Sequence, residues 1–148
     1  MRARPCPGRA MPTAPVHLRD ADLVVHAFGY WPSFHDSGLR EVRRTDDGAL
    51  TLTLHAFEMT SEVDARGYFV LTKHHRIRLR FEDVTDGRLA ARDDTVSRLS
   101  ISDERDADGR FLVEVESAVG SAAEGYGGTF RARAGAVVQV TATPAGDP

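Results

Sequence analysis

Cysteine is nearly absent from this sequence of 148 residues. Cys6 is the only cysteine, so an internal disulfide and a cysteine-rich metal site are both excluded. Long apolar runs are missing too, and none approaches the roughly 20 residues that a membrane-spanning helix needs. The first residues include arginines with no apolar segment behind them, so we do not expect a secretory signal peptide. These absences predict a cytoplasmic protein with no membrane association.

Catalytic signatures are also missing. The sequence has no G-x-S-x-G, no H-E-x-x-H, no phosphate-binding P-loop and no dinucleotide-binding glycine motif. The lone Cys6 lies in a segment with four prolines, where a nucleophile is poorly held in a fixed geometry. We therefore expect neither an enzyme nor a bound cofactor.

Charge is distributed unevenly along the chain. The whole chain carries −3 at neutral pH, but its first fifteen residues hold three arginines and no acid, so the rest carries −6. That charge disfavours nucleic acid as a partner and favours a basic protein. Acidic residues are concentrated between Glu82 and Asp108. Four of them are candidates for contact with such a partner: Asp93, Asp94, Asp103 and Asp106.

The chain is long enough for one domain between two tails. Residues 1–15 are proline-rich without apolar periodicity, and we expect them to be a disordered tail. Residues 16–143 can bury a core of their own, and residues 144–148 form a second tail. The sequence therefore predicts a single domain.

One short helix is predicted near the start of this domain. Apolar residues recur at helical spacing over 19–29, and Asp20 can cap the first turn. Gly29 follows the last apolar position, and Pro32 prevents continuation. A helix this short needs a larger surface to pack on.

The rest of the domain alternates between apolar and polar residues, which is typical of β-strands. A first hairpin is predicted from 38–45 and 49–57, and a bulge is expected near 73–75 because the next extended segment is unusually long. The other predicted segments are a loop at 58–67, a strand at 68–82, a strand or helical turn at 88–101, an acidic turn at 103–109, a strand at 110–116 and a last hairpin from 129–134 and 136–143. The pattern predicts a mainly β fold, an antiparallel sheet or sandwich with one short N-terminal helix (α+β).

A stretch rich in aromatic residues separates the predicted helix from the first strand. Trp31, the only tryptophan, is expected to be at least partly buried as the anchor between helix and sheet. Phe34 belongs to the same structural motif. His35 or Asp36 is expected to bond backbone groups where the first strand starts.

Histidine and carboxylate residues offer an alternative chemistry. His35, Asp36, His55 and His74 are of types that bind metal ions, so a metal-dependent or hydrolytic enzyme built on them is the main alternative function. None of them shows close ligand spacing, and the adjacent His74 and His75 must point to opposite faces of a strand. A non-enzymatic ligand-binding module is a further alternative.

Three arginines alternate along one face of the segment 68–82: Arg76, Arg78 and Arg80. Their like charges repel unless acids lie opposite, and Glu114 and Glu116 are candidates for that role. The row is interpreted either as a solvated charged face or as a patch for an anion or a protein partner.

Several motifs together resemble a known family. They are Tyr-Trp-Pro-Ser-Phe-His-Asp at 30–36, His-Ala-Phe-Glu-Met-Thr at 55–60, Val63-Asp64, Gly67-Tyr68 and Leu79-Arg-Phe-Glu-Asp-Val84. Over residues 22–90 the pattern resembles the immunity protein 50 family, bacterial proteins that neutralise a co-encoded polymorphic toxin. The resemblance implies a protein that binds a cognate toxin domain and occludes its active site, with no catalytic residues. The chain departs from the family at Arg92–Val96, where the family carries an Asn/Gln-rich segment.

Overall fold

The computed structural model describes residues 13–85, 87–90 and 92–144. Most of the predicted N-terminal tail and residues 145–148 therefore lie outside the described part of the chain. None of the described helices is long and apolar enough to cross a membrane.

The described chain is built mainly from β-strands. In chain order the elements are β1 (Leu18–Arg19), α1 (Asp22–Phe28), β2 (Gly38–Arg44), β3 (Leu50–Val63), β4 (Phe69–Glu82), β5 (Asp94–Arg105), β6 (Phe111–Ser117), β7 (Gly128–Ala132) and β8 (Ala134–Ala142). A short 3-10 helix, Ala122–Glu124, lies between β6 and β7. The predicted mainly β fold with one short N-terminal α-helix is confirmed for these residues.

The strands form one open mixed sheet in the order β1-β8-β4-β3-β2-β5-β6-β7. All its pairings are antiparallel except the two-residue parallel contact between β1 and β8. β2 and β5 share only two residue pairs, Gly38 with Thr95 and Leu39 with Asp94. This narrow connection is the corner of the sheet.

Beyond the corner the sheet folds back over itself. β4 and β7 are five places apart in the sheet order, which would separate them by about 24 Å in a flat sheet. Instead, the ring of Phe81 on β4 lies 5.1 Å from that of Phe130 on β7 and 6.3 Å from that of Phe111 on β6. The β5–β7 part therefore packs face to face on the β3–β4 part, and all three phenylalanines are fully buried.

The helix α1 packs on this inner face beside β4 and β8. Its last residue, Phe28, is buried and lies 5.2 Å, ring to ring, from His75 on β4. The prediction that Asp20 caps the helix is wrong. Asp20 is in a turn with φ +60° after β1, and Ala21 occupies the N-cap without a side-chain hydrogen bond.

The first hairpin and the predicted bulge are both confirmed. β2 pairs with β3 in antiparallel fashion, and the β3–β4 register shifts after Ala56, where Lys73 has φ +56°. The predicted loop at 58–67 is wrong over its first half. β3 continues to Val63, because Glu58, Met59 and Val63 still pair with residues of β4.

The predicted last hairpin is wrong. β7 and β8 are separated by Arg133 alone, whereas a hairpin loop needs two or more residues. β7 pairs with β6 at one end of the sheet, and β8 pairs with β4 and β1 near the other. Within the ambiguous segment 88–101, residues 94–101 form the start of β5. This strand runs to Arg105, so the acidic turn begins only at Asp106.

Candidate functional site

The aromatic motif forms the corner between β2 and β5. The backbone N–H of Asp36 donates to the Val96 carbonyl at 2.7 Å, and the Val96 N–H donates to the Ser37 carbonyl at 2.8 Å. Phe34 and Asp36 both have left-handed backbones, with φ of +64° and +67°. Non-glycine residues adopt this conformation at a cost, and such residues gather at functional sites.

In the aromatic motif, Trp31 and Phe34 are buried, whereas His35 is exposed to solvent. Trp31 is 6% exposed and meets the buried Phe34 edge to face at 5.4 Å, which confirms its predicted burial. The exposed His35 instead pairs with Asp36 through Nδ1 and Oδ2 at 3.2 Å. The sequence predicted that the side chain of His35 or Asp36 would bond backbone groups here. In the structure the Asp36 main chain makes such a bond instead, and the Ser33 hydroxyl accepts from the His35 N–H.

A groove of about 680 Å³ lies on the outer face of the sheet. Asp36 and Thr95 line it from the corner, whereas Arg66 and Tyr68 line it from the far end of the β3–β4 hairpin. The pairing of β3 with β4 contains two register shifts. The hairpin therefore curves, and its far end meets the corner around one groove. We call this feature the outer groove.

Two histidines meet within the outer groove. The bulge in β4 turns His74 outward, and its Nδ1 lies 3.1 Å from Nε2 of His55 on β3. The Phe57 ring lies 5.8 Å from that of His74. Asp36, another of the proposed metal ligands, also lines the outer groove. His35 does not line it and is paired with the Asp36 carboxylate. No group of three His, Cys, Asp or Glu side chains in the described chain is arranged to hold a metal ion.

The far end of the β3–β4 hairpin exposes several large apolar side chains among polar residues. Its turn is closed by Asp64, whose Oδ1 accepts the N–H groups of Arg66 at 2.8 Å and Tyr68 at 3.0 Å. Four large apolar side chains here are exposed by half or more: Met59 (50%), Val63 (57%), Tyr68 (65%) and Phe69 (54%). We call these four residues the hairpin tip. Sequence reasoning missed this exposed group, since Met59 and Val63 lie in a segment expected to be a loop and Tyr68 and Phe69 at the start of a predicted strand.

No protein-family model, curated protein or solved structure matches this chain. Any function assigned to the outer groove and the hairpin tip therefore depends on their own residues and on the motifs in the sequence.

A network of three polar residues ties the hairpin to the helix. The Tyr30 hydroxyl donates to Glu58 at 2.7 Å, and Lys73 lies 3.1 Å from the same carboxylate and donates to the Phe28 carbonyl. Burial, together with the bond to Glu58, raises the pKa of Tyr30 to about 12. Hydrogen bonds from Tyr30 and Lys73 hold the pKa of Glu58 below its ordinary value.

The arginine row lies on the outer face of β4, opposite polar residues of β3. Arg76 is in register with His55 and Arg78 with Thr53. Nε of Arg78 donates to the Thr53 hydroxyl at 3.3 Å, and only Arg80 has a carboxylate partner among the described residues, Asp47 at 3.2 Å.

The predicted acidic partners of this row are elsewhere. Glu116 pairs with Arg98 on β5 at 3.6 Å, and Glu114 lies opposite Ser100 and Thr129. The expectation that these glutamates oppose the arginine row is therefore wrong, because the chain turns the corner between β2 and β5.

The four acidic candidates do not form one surface. Asp94 is only 7% exposed and accepts a 2.7 Å hydrogen bond from the Ser117 hydroxyl, so it supports the corner. Asp106 closes the β5–β6 turn and pairs with Arg131, and backbone N–H bonds, chiefly from Arg110, lower its pKa. Asp93 and Asp103 are exposed near opposite ends of β5, about 30 Å apart along an extended strand.

Proposed function

We propose that this protein is an immunity protein that binds a bacterial toxin domain and blocks it without carrying out a reaction. The observation that carries the proposal is the hairpin tip, where four large apolar side chains remain exposed by half or more. Apolar groups grouped in this way on a surface mark a place where another macromolecule binds. Aromatic residues such as Tyr68 are among those that contribute most to binding energy at interfaces.

The position of the family-like motifs supports the same function. Val63-Asp64 and Gly67-Tyr68, which contribute to the resemblance, form the turn and flanks of the hairpin tip. His-Ala-Phe at 55–57 provides His55 and Phe57 to the outer groove. Motifs separated along the sequence therefore meet around one surface.

The mechanism follows from the shape of the hairpin. β3 and β4 extend the tip beyond their neighbours, because β2 pairs only with residues 50–55 of β3. An extension of this kind enters a cleft of the toxin and excludes its substrate. The apolar side chains supply affinity through buried area, and the outer groove receives a toxin segment beside it.

The test is co-expression with the toxin domain encoded beside this gene. The wild-type protein is expected to restore growth and to co-purify with the toxin as a stable complex. Val63→Asp in the hairpin tip should abolish protection, because it buries an unpaired charge in the interface.

Val119→Asp is the matched control, since Val119 is 59% exposed against 57% for Val63 but lies after β6. It should protect as well as the wild type. A neighbouring gene that encodes no toxin, a wild-type protein that fails to protect, or equal protection by both variants would contradict the proposal.

A further inference from the structure

Three arginines on the outer face have no carboxylate partner among the described residues. Arg40, Arg76 and Arg78 are absent from the ion pairs of this region, whereas their neighbours Arg43 and Arg80 pair with Glu41 and Asp47. We call these three arginines the arginine face. It is a local positive surface on a chain whose net charge is negative.

Arg40 lines the outer groove, and register places Arg76 and Arg78 on the sheet face beside it. Gly38, His55 and Arg76 form one rung across β2, β3 and β4, so their side chains share a face. Arg78 follows on the same face of β4, in register with Thr53. A partly buried hydrogen bond from Nε of Arg78 to the Thr53 hydroxyl ties one guanidinium to β3.

Gly38 positions the third guanidinium. A Cβ at Gly38 would lie 2.7 Å from Cζ of Arg40 and 2.8 Å from its Nη2, closer than atoms in contact allow. The missing side chain therefore lets Arg40 lie across β2 beside His55. Arg40 and His55 both line the outer groove.

The groove also offers apolar contacts. Phe57, Tyr68, Phe69 and Leu71 line its other side. A ligand that fits must combine negative groups with an apolar group, as a short acidic polypeptide segment with one aromatic or aliphatic side chain does. A long polyanion such as nucleic acid would be repelled by the overall negative charge.

We infer that the arginine face and the outer groove bind an acidic segment of the partner protein, with its carboxylates on Arg40, Arg76 and Arg78. The inference rests on the proposed function, since the partner is the toxin. Guanidinium groups suit this role because they bind carboxylates through paired hydrogen bonds.

Association kinetics with the purified toxin domain test the inference. Arg76→Glu should slow association by about tenfold or more at low salt and weaken its salt dependence. Arg98→Glu changes the net charge equally, at an exposed arginine of β5 that does not line the groove, and its association rate should stay within about twofold of the wild type. If both variants slow association equally, the inference is overturned, because the slowing then reflects the net charge of the protein and not the arginine face.

A second measurement does not need the toxin. The full chain is followed by backbone amide NMR while one of three ligands is added. The ligands are a pentapeptide with four glutamates around one phenylalanine, the same peptide with glutamines in place of the glutamates, and a thymidine hexanucleotide. The glutamate peptide should shift the amides of Arg40, His55 and Arg76, and Arg76→Glu should remove these shifts. Equal binding of the glutamine peptide, or stronger binding of the oligonucleotide, would overturn the inference.

The two measurements separate this inference from the proposed function. Selective binding of the glutamate peptide by a protein that fails to protect against the toxin would refute the immunity role alone. Protection that survives both Arg76→Glu and Arg40→Glu would refute the arginine face alone.

Discussion

Trp31 and Phe34 show how single residues of a short motif serve the core. Trp31 is 6% exposed, and Phe34 is 2% exposed although its φ is +64°. Their edge-to-face contact joins the end of the helix region to the corner of the sheet. Both positions bury a large aromatic ring, and at Phe34 the left-handed backbone is a conformation that surrounding tertiary contacts must hold.

Replacing Trp31 tests this burial. Trp31→Ala should lower the free energy of unfolding by about 3–5 kcal/mol, because it leaves a cavity in the core. Urea denaturation followed by circular dichroism measures the loss. Tyr68→Ala, at a 65% exposed position, should change stability by less than about 0.5 kcal/mol. Similar losses for both variants would place Trp31 outside the core.

Tyr30 gives a pH-dependent prediction. Its pKa in the folded protein, about 12, is above its ordinary value of 10.0. Burial and the bond to Glu58 both favour the protonated hydroxyl, so its contribution to stability is present in full below about pH 10 and is lost as pH rises from 10 through 12. Tyrosinate absorbance should show one of the three tyrosines ionising near pH 12. Tyr30→Phe should remove that step, and its persistence would show that Tyr30 is not the perturbed group.

At the scale of elements, the connection from β6 to β7 depends on a glycine. Gly127 has φ +64°, and a Cβ there would lie 2.5 Å from the Val115 carbonyl oxygen. The Gly127 carbonyl also accepts the N–H of Ala90 at 3.0 Å. Together with bonds from Thr85 and Arg88, this contact covers the outer edge of β7, which would otherwise be open to another strand.

Comparing alanine at Gly127 with alanine at Gly109 separates the cost of a left-handed backbone from the cost of a close backbone contact. Gly109 has φ +80° and open space where a methyl group would lie, so Gly109→Ala should cost only the left-handed penalty of about 1–2 kcal/mol. Gly127→Ala should cost about 1–3 kcal/mol more, because a backbone carbonyl must move. Chemical denaturation of both variants measures the difference, and equal costs would mean that the close contact is absent.

For the whole molecule, the decisive feature is the sheet that folds back over itself. The two parts share only two residue pairs at the corner, yet Phe81 on β4 packs against Phe111 and Phe130 on the other part. The core is therefore continuous between the parts, and backbone hydrogen bonds between Thr85 and Arg131 also join the chain after β4 to β7. Such a molecule should unfold as one cooperative unit.

Phe81→Ala tests that cooperativity. It should lower the free energy of unfolding by about 3–5 kcal/mol and speed amide hydrogen exchange in β6 and β7 as well as in β4. Phe69→Ala, on the same strand but 54% exposed, should leave exchange in β6 and β7 unchanged. Faster exchange confined to β4 would mean that the two parts are stabilised independently.

The sequence by itself determined the local features of this protein. Alternation of apolar and polar residues predicted the first part of β3, the whole of β4 and the buried face where these two segments pair, because side chains alternate along any strand. Length predicted the bulge at Lys73, and composition predicted the burial of Trp31. The first hairpin was also predictable, since both of its strands are close in sequence.

Only the tertiary structure decided which distant segments meet. β7 and β8 are neighbours in sequence but pair with strands at opposite ends of the sheet, because closing one core over Phe81 requires the chain to cross there. The same folding separates Asp94 from the surface and brings His55 and His74 into one groove. Alternation defines the faces of a strand but not its neighbours, and the burial of a shared core selects those neighbours.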